Sequence, residues 1–178
     1  MANHGVERIQ RVSGRFRLFF VVLVFCIPLL DALYWLFFNS LSHALIEIPF
    51  MVSQELSFPT RTLAFLVSLL PVGIVTFGVY TLARLFALYE KAVIFSAENV
   101  KHFRTLGYTL LLWVIARLIY LPLLSITLSF NNPPGQRIVA AGFELVDVTA
   151  LITGAVVLLI SWVMDEGRKL EDEQAYTI

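Results

Sequence analysis

The stretch that decides the fold is residues 18–38, which read LFFVVLVFCIPLLDALYWLFF and include one charged residue, Asp31. A helix of about 20 residues crosses the hydrocarbon core of a bilayer, which is roughly 30 Å thick. The fifteen Leu, Ile, Phe and Val side chains of this block favour insertion by roughly 0.3–0.6 kcal/mol each, whereas one Asp opposes it by only about 2.5–3.5 kcal/mol. The block therefore predicts a transmembrane helix.

Three further apolar blocks have the same character, and they cover residues 63–86, 106–128 and 138–164. Each block is continuously apolar, whereas the strands of a membrane barrel alternate apolar and polar residues over about 10 residues. The blocks therefore favour helices over strands. The whole chain is 58% hydrophobic and 15% charged, against about 25% charged residues in soluble domains. This composition excludes a disordered chain, a disulfide scaffold and a nucleic-acid-binding domain. We predict an all-α fold: a polytopic membrane protein whose four transmembrane helices form one bundle over residues 1–178.

The basic residues predict the orientation of the four spans, because Lys and Arg collect in cytoplasmic loops. Ten of them lie before the first span, in or beside the connector of residues 87–105, or in the tail of residues 165–178. Only Arg61 and Arg137 lie in the two other loops. We therefore expect both termini in the cytoplasm. Signal-peptide cleavage near residues 42–44 is less favoured, because the apolar block exceeds the usual length of about 7–15 residues.

The two loops predicted on the outer side are residues 39–61 and residues 131–137. Residues 39–61 are only half polar, and residues 46–52 are compatible with either a short interfacial helix or a structured loop. Residues 131–137 read NNPPGQR, a composition typical of a tight turn. This second loop leaves little room for an outer ligand-binding domain.

The connector contains the signals of a helix start. Ser96 is a good N-cap, because its hydroxyl can accept a hydrogen bond from a free amide of the first turn. Phe95 and Val100 occupy the two positions of a hydrophobic staple, and Glu98 lies in the first turn, where the helix dipole favours an acid. We predict a helix that begins at about Ala97 and continues into the third span.

The segment FSAENVK at residues 95–101, followed by RTLG at residues 104–107, resembles a bacterial family of four-span membrane proteins catalogued as domain of unknown function 2975. The ending EGRKLEDEQAYTI at residues 166–178 is similar to the closing pattern of the same family. The resemblance implies a four-helix fold without a catalytic motif, located in the bacterial inner (cytoplasmic) membrane. It also implies a cytoplasmic partner, because members are often encoded beside a small helix-turn-helix protein.

Four charged residues lie within the predicted spans, namely Asp31, Arg117, Glu144 and Asp147. If they were isolated, these four charges would together raise the free energy of membrane insertion by on the order of 10 kcal/mol, so we expect them to pair. Arg117 can reach Asp31, Asp147 or both if the first, third and fourth spans are neighbours. Two interpretations stay open. The charges form a buried salt bridge that fixes the packing, or they form a proton- or cation-responsive site, since three acids cannot all pair with one base.

The sequence contains no pattern typical of a catalytic, metal or cofactor site. Cys26 has no second cysteine to pair with, and His4, His43 and His102 fall in three different segments without ligand spacing. We therefore expect a protein that is not an enzyme and that binds neither a metal nor a cofactor.

The favoured function is that of a regulatory or interaction protein. It would hold a cytoplasmic partner at the membrane or sense a signal for that partner, such as a helix-turn-helix DNA-binding regulator. It would not itself contact nucleic acid. The tail carries five acids against Arg168 and Lys169, so it can attract a basic partner. The alternative is a small transporter, channel or proton- or cation-responsive sensor that uses the intramembrane charges.

Ala150 and Gly154 form a small-xxx-small pair, which permits close helix contact within the bundle or between protomers of a homo-oligomer. The predicted partner-binding residues are Phe95, Ser96, Glu98, Asn99, Lys101, Arg104, Gly167, Leu170, Glu171, Glu173 and Thr177.

Overall fold

The computed structural model describes the backbone of residues 2–41, 55–133 and 135–175, and side chains from residue 7 to residue 170 of these ranges. The described residues contain one short 3-10 helix, Phe38–Ser40, and no strand. The long helices are α1 (Ala2–Leu36), α2 (Phe58–Glu90), α3 (Ala97–Ser129) and α4 (Leu145–Ala175). All four are long and apolar enough to cross a membrane, so the prediction of an all-α fold with four span-length helices is confirmed. Residues 46–52, the predicted interfacial helix or loop, lie outside the described residues.

Serine side chains define where two of the helices begin. The Ser57 hydroxyl accepts a hydrogen bond from the amide of Thr60 at 3.4 Å, and a proline occupies the first turn of α2. The Ser96 hydroxyl accepts from the amide of Asn99 at 3.3 Å. Each bond satisfies an amide that has no carbonyl partner within its own helix. The predicted cap and the predicted start of α3 at Ala97 are therefore confirmed.

The fourth helix begins at Leu145, so the prediction that it begins at residue 138 is wrong. Residues 136–144 form neither helix nor strand and lie along the end of α3. The Ser125 hydroxyl accepts a hydrogen bond from the amide of Ala140 at 2.8 Å, and the Ser129 hydroxyl accepts one from Ile138 at 3.1 Å. Because these serines satisfy backbone groups that a helix would otherwise satisfy, the apolar segment can remain non-helical.

The helices pack in chain order, α1 on α2, α2 on α3 and α3 on α4. Arg17 Nη1 lies 2.7 Å from Glu90 Oε2, and Arg104 Nη2 lies 3.5 Å from Asp165 Oδ2. Both ion pairs lie on the side of the protein where α2 ends and α3 begins, and we call this side the connector end and the opposite side the far end. Over the part of the chain that the structure describes, α1 and α4 form no extensive contact. The four helices therefore form a row.

Two glycines allow neighbouring helices to approach closely. A Cβ atom at Gly78 of α2 would lie 3.2 Å from the Thr109 methyl group of α3. One at Gly154 of α4 would lie 3.1 Å from the carbonyl oxygen of Gly107 on α3. Gly154, one half of the predicted small-xxx-small pair, thus packs within the chain.

The far end contains the main apolar core of the described residues. Its buried members come from α1, α2, α3 and the adjoining loop segments: Trp35, Phe38, Leu56, Ala64, Leu124 and Leu128. Next to this core, Asn39 Nδ2 donates to the carbonyl of Leu56 at 2.9 Å, and Asn39 Oδ1 accepts from the Leu56 amide at 3.1 Å. This reciprocal pair joins the two ends of the segment between α1 and α2. Elsewhere the outward faces of the helices are covered with exposed Leu, Ile, Val and Phe, as expected of a surface that contacts lipid.

The substitutions Gly107→Ala and Gly73→Ala are expected to change the free energy of unfolding in opposite directions. A Cβ atom at Gly107 would meet the Leu158 side chain at 2.6 Å, whereas one at Gly73 would meet nothing within 4 Å. Alanine favours a helix over glycine by up to about 1 kcal/mol, so Gly73→Ala should stabilise the protein. Gly107→Ala should destabilise the protein by about 1–2 kcal/mol, because the overpacking against Leu158 outweighs the gain in helix propensity. Unfolding in mixed detergent micelles measures both, and equal effects would contradict the close packing of α3 on α4.

Candidate functional sites at the two ends

The far end holds an ion-pair cluster between α3 and α4. Arg117 Nη2 lies 3.0 Å from Glu144 Oε2, and Arg117 Nε lies 3.4 Å from Asp147 Oδ1. The guanidinium also lies over the Trp113 ring, 5.5 Å from its centroid. The Asp147 side chain is 1% exposed, whereas that of Glu144 is 53% exposed. Three of the four predicted intramembrane charges are thus brought together.

The same carboxylates form the start of α4. Asp147 Oδ2 accepts a hydrogen bond from the amide of Glu144 at 2.8 Å, the second half of a capping box. From Asp147 to Asp165 the helix rises about 27 Å, which is most of a hydrocarbon core of roughly 30 Å. The cluster therefore lies close to the far boundary of the apolar region. Its geometry accounts for Asp147 as a helix cap that Arg117 neutralises.

Asp31 does not join this cluster. Its Oδ2 atom accepts a hydrogen bond from Ser68 Oγ at 2.7 Å, and Ser68 Oγ accepts one from Trp35 Nε1 at 3.0 Å. The expected bridge from Arg117 to Asp31 requires α1 to lie beside α3, whereas α1 packs on α2. Asp31 therefore joins α1 to α2 through the Ser68 hydroxyl, a neutral donor that stabilises the Asp31 carboxyl group by a hydrogen bond.

The substitution Arg117→Leu is expected to destabilise the protein by about 3–5 kcal/mol, because it leaves the buried Asp147 carboxylate without its counter-charge. Adding Asp147→Asn to Arg117→Leu should restore part of the loss. Glu144→Gln, at a half-exposed carboxylate, should cost less than about 1 kcal/mol and serves as the matched control. Micellar unfolding of these variants measures the differences. An unchanged stability of Arg117→Leu would contradict the structural role of the cluster.

At the connector end, the chain leaves α2 through a tightly bonded turn. The amide of Ala92 donates to the carbonyl of Tyr89, and the amide of Val93 donates to that of Leu88, both at 3.0 Å. This is the Schellman arrangement of a helix C-terminus, in which a residue with positive φ follows the cap. Ala92 adopts φ of 59° there, although glycine is usual. The first residues of the connector are therefore held by backbone bonds.

Asn99 holds the rest of the connector. Its side chain is fully buried, and its Nδ2 atom donates to the carbonyls of Val93 at 2.9 Å and Ile94 at 2.5 Å. Two carbonyls that lie outside any helix thus gain a donor from the first turn of α3. Predicted as a partner-binding residue, Asn99 is accounted for by this internal contact.

The connector and residues 164–168 of α4 line a small, partly open cavity. It has a volume of about 180 Å³ and is lined by Phe95, Ser96, Val100, Met164, Gly167 and Arg168, which we call the connector surface. Phe95 is 79% exposed although it is aromatic. The structure therefore unites the two segments that carry the family resemblance. Met164 and Arg168 were missed by the sequence analysis. The signal that could have found them is helical spacing, since Met164 lies three residues before Gly167 and four residues before Arg168.

The other predicted partner-binding residues lie around this surface or outside the described side chains. Glu98, Lys101 and Leu170 are exposed, and Arg104 pairs with Asp165. The side chains of Glu171 and Glu173, and Thr177 as a whole, lie outside what the structure describes.

The substitution Asn99→Asp is expected to destabilise the protein by about 2–3 kcal/mol, because a carboxylate of the same size cannot donate to the two connector carbonyls. Asn132→Asp is the matched control. It removes a single exposed hydrogen bond to the carbonyl of Gln136 at the far end and should cost well under about 1 kcal/mol. Hydrogen exchange of the connector amides should rise in Asn99→Asp alone. Equal exchange in the two variants would contradict the role of Asn99.

Comparison with known proteins gives a family and no function. Residues 27–178 match the family described as protein of unknown function (DUF2975). No curated protein and no solved structure matches the chain.

Proposed function

Because the chain belongs to the DUF2975 family of unknown function, its role has to be inferred from its own surfaces, and we propose that it is a non-enzymatic tether of the bacterial inner membrane. It holds a cytoplasmic partner at the connector surface, and both termini face the cytoplasm. This orientation rests on the ten basic residues at the connector end against Arg61 and Arg137 in the two loops predicted on the outer side.

The observation that carries the proposal is the exposure of Phe95 beside the cavity. An aromatic ring that is 79% exposed next to a concave surface is typical of a binding anchor, because its burial by a partner releases water from a large apolar area. The ring is also presented by a connector that Ser96 and Asn99 hold in place. A partner that binds there loses little entropy in ordering the connector.

The negative charge of the tail supports the proposal that the partner is basic. Within the described part of the tail, Asp165 pairs with Arg104, Arg168 and Lys169, and Glu166 pairs with Lys169. The acids that follow, at residues 171–173, give the tail its negative balance in the sequence. A negative tail beside an apolar anchor attracts a basic protein at long range, while the apolar contact provides specificity. A small helix-turn-helix regulator has this chemistry, and its basic face would then be withheld from DNA phosphates.

The alternative function, a transporter, channel or proton- or cation-responsive sensor, has less support. It requires charges that are available to a moving ion or proton. Arg117 is engaged by Glu144 and Asp147, and Asp147 also caps α4. Asp31 lies apart from them on the face that α1 presents to α2.

The proposal is tested by affinity capture with the tagged full-length protein in detergent. Phe95→Ser removes the anchor, and Phe130→Ser is the matched control, because it makes the same change at an exposed Phe of the far end. We expect the wild type and Phe130→Ser to recover one small basic DNA-binding protein, and Phe95→Ser to lose it. Removal of residues 171–178 should weaken recovery at low salt and have less effect at high salt, where the charge attraction is already screened.

Two results would contradict the tether. One is the recovery of the same proteins by Phe95→Ser and Phe130→Ser, and the other is the recovery of nothing but the protein itself. The second result would favour proton or cation flux assays in vesicles, with Asp31→Asn as the first variant.

A further inference from the structure

A second concave feature lies on the lipid-facing side of the protein, between α2 and α3. It is an open apolar groove of about 330 Å³ lined by Gly73, Ile74, Phe77, Thr105, Tyr108, Thr109 and Leu112. The tether proposed above does not use it. A Cβ atom at Gly73 would have no neighbour within 4 Å, so the absence of a side chain there leaves the groove open.

The groove is narrow because its two walls touch. Thr109, which lines it, lies against Gly78, where an added Cβ atom would stand 3.2 Å from the threonine methyl group. A transmembrane helix with its side chains is about 10 Å wide and cannot enter a slot between two helices in contact. A single extended hydrocarbon chain can.

Basic side chains lie where the groove reaches the connector end. On α2, Arg84 follows Phe77 by seven residues and so shares its helix face. On α3, Lys101 precedes Thr105 by one turn, and His102 lies within electrostatic range of Arg84, Lys101 and Glu98. Arg84 and Lys101 are exposed, and no ion pair joins either of them to another side chain that the structure describes. With Glu98 counted, the mouth of the groove keeps a positive balance.

We propose that this groove binds one anionic phospholipid of the leaflet at the connector end. One acyl chain lies in the slot between Gly73 and Leu112, and the headgroup phosphate contacts Arg84 and Lys101. A basic pocket between transmembrane helices at an interface is the arrangement that selects anionic headgroups, whereas a zwitterionic lipid gains only the acyl contact.

The test is native mass spectrometry of the delipidated full-length protein, titrated with dioleoyl phosphatidylglycerol or dioleoyl phosphatidylcholine. The wild type should bind one phosphatidylglycerol in preference to phosphatidylcholine. The double variant Arg84→Gln, Lys101→Gln should weaken phosphatidylglycerol binding by about 25-fold, because each basic residue near the headgroup contributes roughly a factor of five, and it should leave phosphatidylcholine binding unchanged. The matched control, Arg11→Gln with Arg15→Gln, removes two exposed arginines of α1 near the same end and should weaken it less than about twofold.

A second pair of variants tests the acyl chain. Gly73→Leu fills the groove and should weaken the binding of both lipids, while Gly73→Ala is too small to do so. The open space at Gly73 allows both proteins to fold, and their unfolding transitions check this.

Three outcomes would overturn the proposal. The first is an equal loss of phosphatidylglycerol binding in the arginine control and the double variant, which would indicate a diffuse surface charge. The second is unchanged lipid binding in Gly73→Leu. The third is a dimer that excludes lipid and that Gly73→Leu disrupts, which would assign the groove to a second copy of the chain. None of these outcomes depends on a cytoplasmic partner, so the tether and the lipid site are tested separately.

Discussion

The structure depends on one constraint, namely that every backbone amide and carbonyl in a bilayer needs a partner from the protein itself. The long helices satisfy most of these groups internally. Where a helix stops, a polar side chain takes over: Asn39 bonds Leu56 in both directions, and Asn99 bonds two connector carbonyls. Many of the polar side chains in this apolar chain satisfy backbone groups in this way. These side chains are therefore not available to bind a ligand.

The two ends of the row of helices consequently differ in character. At the far end, the apolar core, the serines of α3 and the Arg117 cluster hold the chain against itself. At the connector end, an aromatic ring, a cavity and two basic side chains remain accessible around a connector that is held in place. Rigid support beneath exposed groups is what a recognition surface requires. The proposed partner and the proposed lipid would therefore bind to neighbouring but distinct parts of the same end.

The sequence predicted what local chemistry determines and missed what depends on distant neighbours. The Ser96 cap and the four apolar helices follow from residues within a few positions of one another. The start of α4 does not, because Ser125 and Ser129 stabilise a non-helical segment from another helix. In the same way, Asp31 binds Ser68 rather than Arg117 because of which helices are neighbours, a choice that apolar periodicity does not encode. Met164 and Arg168 enter the connector surface for the same reason, since only the packing of α4 on α3 brings them to Phe95.

The arrangement of the helices in a row has a consequence for how the protein is made. Each helix packs on the one synthesised just before it, and the described parts of the first and last helices form no extensive contact. A nascent chain can therefore bury each new helix against a partner that is already in the membrane, without waiting for the C-terminus to emerge. Contacts between consecutive elements also close short loops, which keeps the entropy cost of assembly low. Assembly of this chain can thus proceed in step with translation, from the N-terminus onward.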